Sequence, residues 1–497
     1  YLAFDATDLS KISTDAIKGL ETEIITLLTS TLVEGFTSDQ IAQLNSSQIE
    51  AFSTAGIRGL TSAEISKIST DAIVGLQSED ILQLNSTQVQ GITSDQIAKL
   101  TSAKIGAFTT IGIQGLSSDV IKKITTDAIL GLESADLSIL NSTQLLGLTT
   151  DQIGKLSSTQ VLGLNAANIG GFNSDDLAQI TTSALTSLST AVINALASDV
   201  VKGFTTSQFA GLTSTQVRGF STAGIVGLTS DQVKAFTTSN IVGLESADLA
   251  KITTTAIKSL ESRDIDVLTS TQLLGLTTDQ ISVLSSDQVA GLTTSNYLAF
   301  DATDLSKIST DAIKSLEAEI ITLLTSTLVE GFTSDQIAQL NSSQIEAFST
   351  AGIRGLTSAE ISKISTDAIV GLQSVDLEQL TSGQLLGLTT DQIGRLSSTQ
   401  IVGLNTANIA AFSSDDLAKI STAAILGLES AVINVISSAV LKGITTDQVA
   451  QLTSAQVRGF NSVNIAALGS DQIKRLTPDD IPGLGIEAIP SIITDAI

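Results

Sequence analysis

Cysteine, histidine, methionine and tryptophan are all absent from this sequence of 497 residues. Without them the chain has no disulfides, no thiol or imidazole chemistry, and none of the nitrogen and sulfur ligands that hold most transition metals. Aromatic residues make up only 3% of the sequence, so leucine and isoleucine must supply any core. No apolar run approaches the roughly 18 residues that a membrane-spanning helix needs, so we expect no membrane insertion. An initiating methionine and a signal peptide are also lacking, and we interpret the chain as a segment of a longer protein.

Basic residues are scarce as well. Lysine and arginine total 25 against 51 aspartates and glutamates, which gives a net charge of −26 spread thinly along the chain. Proteins that bind nucleic acids or anionic membranes through charge need a basic patch, and this sequence has none. We therefore predict no nucleic-acid partner. The hydrophobic content of 42% also separates the chain from disordered acidic tails.

What the sequence does contain is an unbroken eight-residue repeat. We number each position by its remainder on division by eight. Positions of remainder four are always leucine, isoleucine or phenylalanine, from Phe4 to Ile492. Positions of remainder one are isoleucine, valine or leucine, with the exceptions of Phe209, Tyr1 and Tyr297. Since the register never slips, each octad must pack against its neighbours.

The spacing of these two apolar positions, five residues and then three, predicts short helices. Odd spacings place the pair on opposite faces of a strand, and in one continuous helix the apolar stripe would drift by about 80° in each octad. Segments such as 37–40 (TSDQ) form a capping box, with Thr as the N-cap and Gln three residues on. Glycines such as Gly35 and Gly59 lie where such helices would end. We predict an all-α solenoid with one very short helix in each octad, and the alternative is a thin β-solenoid.

Longer periods divide the array. Residues 1–78 recur as the near-duplicate segment 297–374, and a motif that begins at Ile12 returns mostly every seven octads. Segmental gene duplication explains this period. The alternative is a superhelix or lateral lattice that meets the same neighbour every seven octads. We expect a continuous octad solenoid over 1–476, and we interpret 477–497, which holds all three prolines, as a cap or a transition.

No catalytic constellation is visible, and we predict a non-enzymatic protein with no catalytic, cofactor-binding or metal site. Aspartates recur in the first turn of the predicted helices, where the helix dipole favours a negative charge. Weak calcium binding is the alternative role for them. They include Asp39, Asp95, Asp151 and Asp231. Paired hydroxyls suit helix capping, or else a ladder that binds ice or glycan; they include Thr149 with Thr150, Thr205 with Thr206, and Thr277 with Thr278. No glycine-rich nucleotide-binding motif occurs.

Two units, 148–153 (LTTDQI) and 212–217 (LTSTQV), resemble the LTxxQI octapeptide arrays of very large bacterial surface and secreted adhesin-like proteins. The resemblance covers essentially the whole chain. It implies an extracellular or cell-surface location and a spacer or filament role, and it brings no catalytic residue with it.

We therefore expect a homo-oligomer or polymer of the chain itself, in a filament, sheath or adhesin stalk. A repetitive surface that binds ice, a cell-surface glycan or calcium is the alternative. Residues with a seven-octad recurrence would supply a periodic lateral match; they are Lys11, Lys67 and Lys123, with Glu21, Gln77 and Glu133.

Overall fold

The computed structural model describes residues 4–484. Every octad in that range forms one short helix, with 49 α-helices and 11 3₁₀ helices in all. The prediction of an all-α solenoid with one helix in each octad is confirmed. The β-solenoid alternative is wrong, because no strand occurs among these residues. They also contain no helix long and apolar enough to cross a bilayer.

The described residues divide into two compact units, one that ends at Ser259 and one that begins at Leu260. In the first unit the α-helices are Ala6–Ser10, Thr14–Lys18, Thr22–Ile25, Ser30–Val33, Ser38–Ile41, Ser46–Glu50, Thr54–Ile57, Ser62–Ile65, Ser78–Ile81, Ser86–Val89, Ser94–Ile97, Ser102–Ile105, Thr110–Ile113, Ser118–Ile121, Ser134–Ile139, Ser142–Leu145, Thr150–Ile153, Ser158–Val161, Ser174–Gln179, Thr182–Leu185, Thr190–Ala195, Ser198–Val201, Thr206–Gly211, Ser214–Arg218, Thr222–Val226, Ser230–Lys234, Ser246–Leu249 and Thr254–Ile257. Its 3₁₀ helices are Ile73–Gly75, Ala128–Gly131, Ile169–Gly171 and Ile241–Gly243.

In the second unit the α-helices are Ser262–Val267, Ser270–Leu273, Thr278–Ile281, Ser286–Ala290, Ala302–Lys307, Ala318–Ile321, Ser326–Val329, Ser334–Ile337, Ser342–Glu346, Ser358–Ile361, Ser374–Gln379, Ser382–Leu385, Thr390–Ile393, Ser398–Ile401, Ser414–Lys419, Ser430–Val435, Ser438–Leu441, Thr446–Val449, Ser454–Val457, Ser462–Ala467 and Ser470–Ile473. Its 3₁₀ helices are Tyr297–Ala299, Ala312–Ser315, Ile353–Gly355, Ile369–Gly371, Ile409–Ala411, Ala424–Gly427 and Ile481–Gly483.

The α-helices begin at an N-cap residue with extended backbone. At Thr37 (φ −88°, ψ 156°) the side-chain hydroxyl accepts a hydrogen bond from the Gln40 backbone N–H at 3.3 Å. The Gln40 Oε1 in turn accepts one from the Thr37 N–H at 2.7 Å. This is the predicted capping box, and it satisfies two of the donors that a helix leaves unpaired at its start. Asparagine and serine serve as N-caps in other octads, as Asn45 and Ser157 do.

Each helix ends after about one turn because the second apolar residue leaves helical geometry. The Leu44 N–H donates to the Ile41 carbonyl at 3.2 Å, a three-residue bond that closes the turn before the next N-cap. Ile41 is 0% exposed and Leu44 is 2% exposed. Helices this short are unstable in isolation, so burial of the apolar pair against neighbouring octads holds them in place.

Within each unit the helices wind into superhelical turns of three and a half octads. The Gln48 Nε2 donates to the Leu20 carbonyl at 2.9 Å and to the Ile17 carbonyl at 3.2 Å, which lie 28 and 31 residues earlier. The 28-residue offset equals 28/8, or 3.5 octads, and it recurs in the second unit, as at Gln392. The seven-octad period of the sequence therefore spans two turns. This is the geometry that the superhelix interpretation of the period requires.

The proline-bearing octads lie partly outside the described residues. The Thr477 N–H donates to the Asp480 Oδ2 at 2.8 Å, as in other capped octads, and a 3₁₀ helix follows that contains Pro482. Pro490 and the rest of 485–497 lie beyond the described range. Whether 477–497 is a cap or a transition stays a prediction.

Candidate functional site: the seam between successive turns

Within each unit, a ladder of glutamines joins successive turns. These glutamines occupy remainder zero, directly before the buried Ile, Val, Leu or Phe of each helix. Gln96 is 1% exposed, and its Nε2 donates to the Ile65 and Ile68 carbonyls at 2.7 Å each. Its Oε1 meanwhile accepts from the Thr93 N–H at 2.7 Å. One side chain thus caps its own helix and binds the preceding turn.

The same bond to the preceding turn recurs through both units. It is donated by Gln40, Gln48, Gln88, Gln96, Gln144, Gln152, Gln160, Gln208, Gln216, Gln232, Gln288, Gln336, Gln344, Gln384, Gln392, Gln400, Gln448, Gln456 and Gln472. Sequence reasoning found only the capping role of these residues. The signal that sequence reasoning missed is the amide nitrogen of glutamine next to the core. A cap needs only the side-chain oxygen as an acceptor, so the buried nitrogen must donate to some other group.

Asparagines do the same work with a shorter side chain in other octads. The Asn168 Oδ1 accepts from the Asn165 N–H at 2.8 Å, and its Nδ2 donates to the Leu137 carbonyl of the preceding turn at 2.9 Å. The Asn408 Nδ2 likewise donates to the Leu377 carbonyl at 2.9 Å. A short amide at this position therefore satisfies both turns.

Glycines of remainder three let the main chains of adjacent turns touch. A Cβ atom placed on Gly75 would lie 2.0 Å from the Ser46 carbonyl oxygen, and one on Gly59 would lie 2.2 Å from that of Ser30. Glycine is needed here because of close approach. Its ability to adopt positive φ is not used, since no described residue has positive φ. The helices end close to these glycines, as the sequence predicted, and none of the described glycines uses a left-handed terminator.

The residues that face these glycines follow a rule in the sequence. Within each unit, the glycines of remainder three from Gly35 onward face a position of remainder six in the preceding turn, as Gly59 faces Ser30. That position is serine or alanine for every such glycine except Gly211 and Gly219. At the first exception, a Cβ on Gly211 would lie 2.6 Å from the Thr182 Cγ2. Threonine is rare opposite glycine because its methyl group takes up the space that the close contact requires.

Aspartates replace glutamine in some octads and bring no second donor. Asp480 is buried in this way, and five further buried aspartates at this position are Asp80, Asp136, Asp176, Asp264 and Asp376. The Asp376 Oδ2 accepts from the Gln373 N–H at 3.0 Å, which preserves the cap. Burial raises the pKa of the Asp376 carboxyl above its ordinary value of 3.8, and the backbone hydrogen bond from Gln373 lowers it by less. Burial is also the largest cause of the raised pKa at the other four of these five, and the Asp264 Oδ1 is buried with no hydrogen-bond partner.

The aspartates and threonines that the sequence singled out do not converge on a site. The first-turn carboxylates are exposed, each on its own helix, at Asp39, Asp95, Asp151 and Asp231. No group of three or more metal-ligating side chains occurs within 4–484. The first threonine of each pair is an N-cap, as at Thr149, whose hydroxyl accepts from the Gln152 N–H at 3.2 Å. The capping interpretation of these hydroxyls is confirmed, and calcium binding stays a prediction.

The lysines of the seven-octad recurrence lie on the surface. Lys11, Lys67 and Lys123 are all exposed. The Lys11 Nζ lies 3.8 Å from the Asp8 Oδ1, an exposed ion pair of the kind that contributes little stability. Since seven octads span two turns, these three side chains lie on one side of the first unit.

Six segments of the chain match the ALTTAQ repeat family, at residues 73–110, 129–166, 201–238, 241–278, 257–294 and 369–406. Together they cover less than half of the chain. Each begins at a remainder-one position, so the matches keep the octad register. They support the repeat array that the sequence indicated, while its adhesin-like character stays a prediction. A comparison with curated proteins gives no match.

Among solved structures, the chain is similar to "Structure of APUM23-GGAAUUGACGG", at 13% identity and a TM-score of 0.20, over 84% of this chain and 91% of that one. APUM23 structures with GGAGUUGACGG and GGAUUUGACGG match at 12% and 11% identity and a TM-score of 0.14, over 97% of this chain and 92% of each of those. The prediction of no nucleic-acid partner is contradicted by these RNA-bound neighbours and is withdrawn. At such TM-scores they carry no argument that this chain binds RNA.

Proposed function

We propose that this chain is a non-enzymatic, extracellular structural repeat protein that assembles with copies of itself into a filament, sheath or adhesin stalk. The observation that carries the proposal is the uniform seam, in which the same glutamine bond recurs from Gln40 to Gln472. An array held by one repeated contact grows by whole repeats without needing a new core. The resemblance to octapeptide arrays of bacterial surface proteins supports the location.

The lateral surface supports association between copies. Its net charge of −26 is spread over 497 residues, so repulsion between neighbouring copies is weak and is screened further by salt. Lys67 and Lys123 are exposed and stand seven octads apart, and each is followed in the next octad but one by a potential partner, Gln77 or Glu133. Copies that lie in parallel would meet complementary side chains once every two turns.

The engagement of the hydroxyl groups favours this structural role over a repetitive ligand surface. A ladder that binds ice or glycan needs outward, free hydroxyls, whereas those of Thr149, Thr205 and Thr277 accept hydrogen bonds from the helix backbone at 3.2–3.3 Å. Committing these groups to caps leaves fewer of them for a ligand.

The test is light scattering and electron microscopy of the purified chain at rising concentration in about 0.15 M salt. We expect long fibres or sheets. The Lys67→Glu, Lys123→Glu pair should raise the concentration needed for assembly. The matched pair Lys99→Glu, Lys155→Glu makes the same change in net charge at exposed lysines that are also seven octads apart, but without Gln or Glu at the equivalent following positions.

Two results would contradict the proposal at different levels. A chain that stays monomeric at every concentration, with or without calcium, defeats the filament and leaves a monomeric stalk or ligand-binding spacer. Equal weakening by both lysine pairs defeats only the specific lateral row, because total charge would then control assembly.

A further inference from the structure

The glutamine ladder sets a requirement that aspartate meets only in part. At remainder zero, one side-chain atom must accept from the N-cap N–H and another must donate to a carbonyl of the preceding turn. In Gln400 these are the Oε1, which accepts from the Ser397 N–H at 2.9 Å, and the Nε2, which donates to the Ile369 carbonyl at 3.1 Å. An ionised carboxylate has two acceptors and no donor. It therefore accepts the hydrogen bond from the N-cap N–H but cannot donate one to the preceding turn.

Asp80, Asp136 and Asp376 are three of the buried aspartates that occupy this position. Asp80 and Asp136 are each 3% exposed and Asp376 is 2% exposed. Each Oδ2 accepts from the N–H three residues earlier, at 2.9–3.0 Å. Gln392 reaches carbonyls 28 and 31 residues earlier, and the same offsets lead from Asp376 to the carbonyls of Phe348 and Ile345. Asn408, whose side chain has the same length as that of aspartate, donates to the carbonyl 31 residues earlier at 2.9 Å. The second carboxyl oxygen of an aspartate at this position therefore lies within reach of the equivalent carbonyl.

Few charged groups surround Asp376. Its helix, Ser374–Gln379, packs against Ile353–Gly355 and Ser398–Ile401. The first of these carries Arg354, whose guanidinium hydrogen-bonds to the Gln379 Oε1, and the second carries no titratable residue. Glu378 on the same helix is exposed. Burial is accordingly the largest cause of the raised pKa of the Asp376 carboxyl.

Asp80 is similarly placed. Its helix, Ser78–Ile81, packs against Thr54–Ile57, which has no titratable residue, and against Ser102–Ile105. The latter carries Lys104, whose Nζ is hydrogen-bonded to the Val74 carbonyl. Burial raises the pKa of Asp80, the backbone bond from Gln77 lowers it, and the neighbouring Glu79 carboxylate raises it.

Asp136 lies on Ser134–Ile139, which packs against Thr110–Ile113 and Ser158–Val161, neither of which has a titratable residue. Burial raises the pKa of Asp136, the backbone bond from Glu133 lowers it, the charge of Glu133 raises it, and the Thr110 hydroxyl lowers it. None of the three aspartates therefore has a cation as a hydrogen-bond partner that would favour its ionised form.

We infer that Asp80, Asp136 and Asp376 make cohesion between turns depend on acidity. In the protonated state each carboxyl donates to a carbonyl oxygen of the preceding turn, as glutamine does. In the ionised state that bond is absent and a buried negative charge faces carbonyl oxygens. The contacts between successive turns are therefore more stable at low pH at the three places where these residues replace glutamine.

The direction of the effect follows from linkage. A carboxyl whose pKa is higher in the folded chain than in the unfolded chain favours folding fully below the unfolded value of about 4. That contribution is lost as the pH rises through the folded pKa. Burial raises the pKa of all three carboxyls, so their contributions to stability are lost over the same rising-pH range.

The chain itself supplies the variant that tests this inference. Asparagine already serves both turns at Asn168 and Asn408. The triple variant Asp80→Asn, Asp136→Asn, Asp376→Asn should therefore keep the caps and gain a permanent donor at each seam. Urea unfolding of the full chain between about pH 4 and about pH 7 measures the result. We expect the wild-type midpoint to fall as pH rises, and the variant to show a smaller fall and a higher midpoint at neutral pH.

The matched control removes three exposed first-turn carboxylates, by Asp95→Asn, Asp151→Asn and Asp391→Asn. It changes the net charge equally and should keep the wild-type pH dependence. A carbon-13 titration of the wild-type aspartate carboxyls gives a second readout that does not depend on any variant folding. The inference is overturned if the seam variant keeps the wild-type slope, or if no buried carboxyl titrates above the ordinary aspartate value.

Discussion

Replacement of Gln96 by leucine is the sharpest test of the seam. Gln96 is 1% exposed, and its removal deprives the Thr93 N–H and the Ile68 carbonyl of partners that now lie at 2.7 Å. The Ile65 carbonyl loses the same Nε2 but keeps its bond from the Ile68 N–H at 3.2 Å. A buried polar group left without a partner costs about 1–3 kcal/mol. Two such groups give an expected loss of about 2–6 kcal/mol for Gln96→Leu.

Native-state hydrogen exchange is the suitable assay, because destabilisation in a repeat array is carried by neighbouring repeats. We expect faster exchange in the octads that hold residues 61–104. The matched control is Gln90→Leu, which makes the same chemical change at an exposed glutamine and should cost less than about 0.5 kcal/mol. If both variants exchange alike, the glutamine bond between turns does not contribute measurably, and the reasoning about the seam is refuted.

The packing supports three further predictions. Gly75→Ala should lower stability to urea by about 1–3 kcal/mol, because the new Cβ would lie 2.0 Å from the Ser46 carbonyl oxygen. Gly170→Ala is the control, since a Cβ there would have nothing within 4 Å, and it should leave the urea midpoint unchanged. Leu100→Ala should lower the free energy of unfolding by about 2–5 kcal/mol in the same assay, because Leu100 is buried. Lys99→Ala, at an exposed residue, should lower it by less than about 0.5 kcal/mol. Equal losses would mean that the core assignment is wrong. Deletion of 93–100 should preserve the helical circular dichroism, whereas deletion of four residues from that octad should abolish it; equal melting of the two would show that octad register is unimportant.

The local structure was predictable because its causes lie within one octad. The capping box at 37–40 and the apolar pair of remainders one and four determine where each helix begins and which residues are buried. The absence of a site was argued from the repetition of Asp39 and its equivalents. The structure places these aspartates on separate helices, and the expectation that the chain has no site stays a prediction.

The length of the superhelical turn was not predicted, because a pattern that repeats every octad is the same at every multiple of the octad. Information about the turn lies only in pairs that differ between octads. Such pairs exist, since Gly59 and Gly75 face Ser30 and Ser46 of the preceding turn, and threonine is rare at the position that faces a glycine. Without a three-dimensional reason to compare these positions, the sequence offered only the capping role for serine and the helix-end role for glycine.

A turn of three and a half octads means that successive turns are staggered by half a repeat. Gln96, inside a helix, lies over the carbonyl of Ile68, which belongs to a connection between helices. Each connection between two helices is therefore covered by the middle of a helix in the next turn. If two helices separate at the connection between them, the separation meets an intact helix in the next turn. Within each unit, lengthwise splitting must therefore break helices as well as the bonds between them.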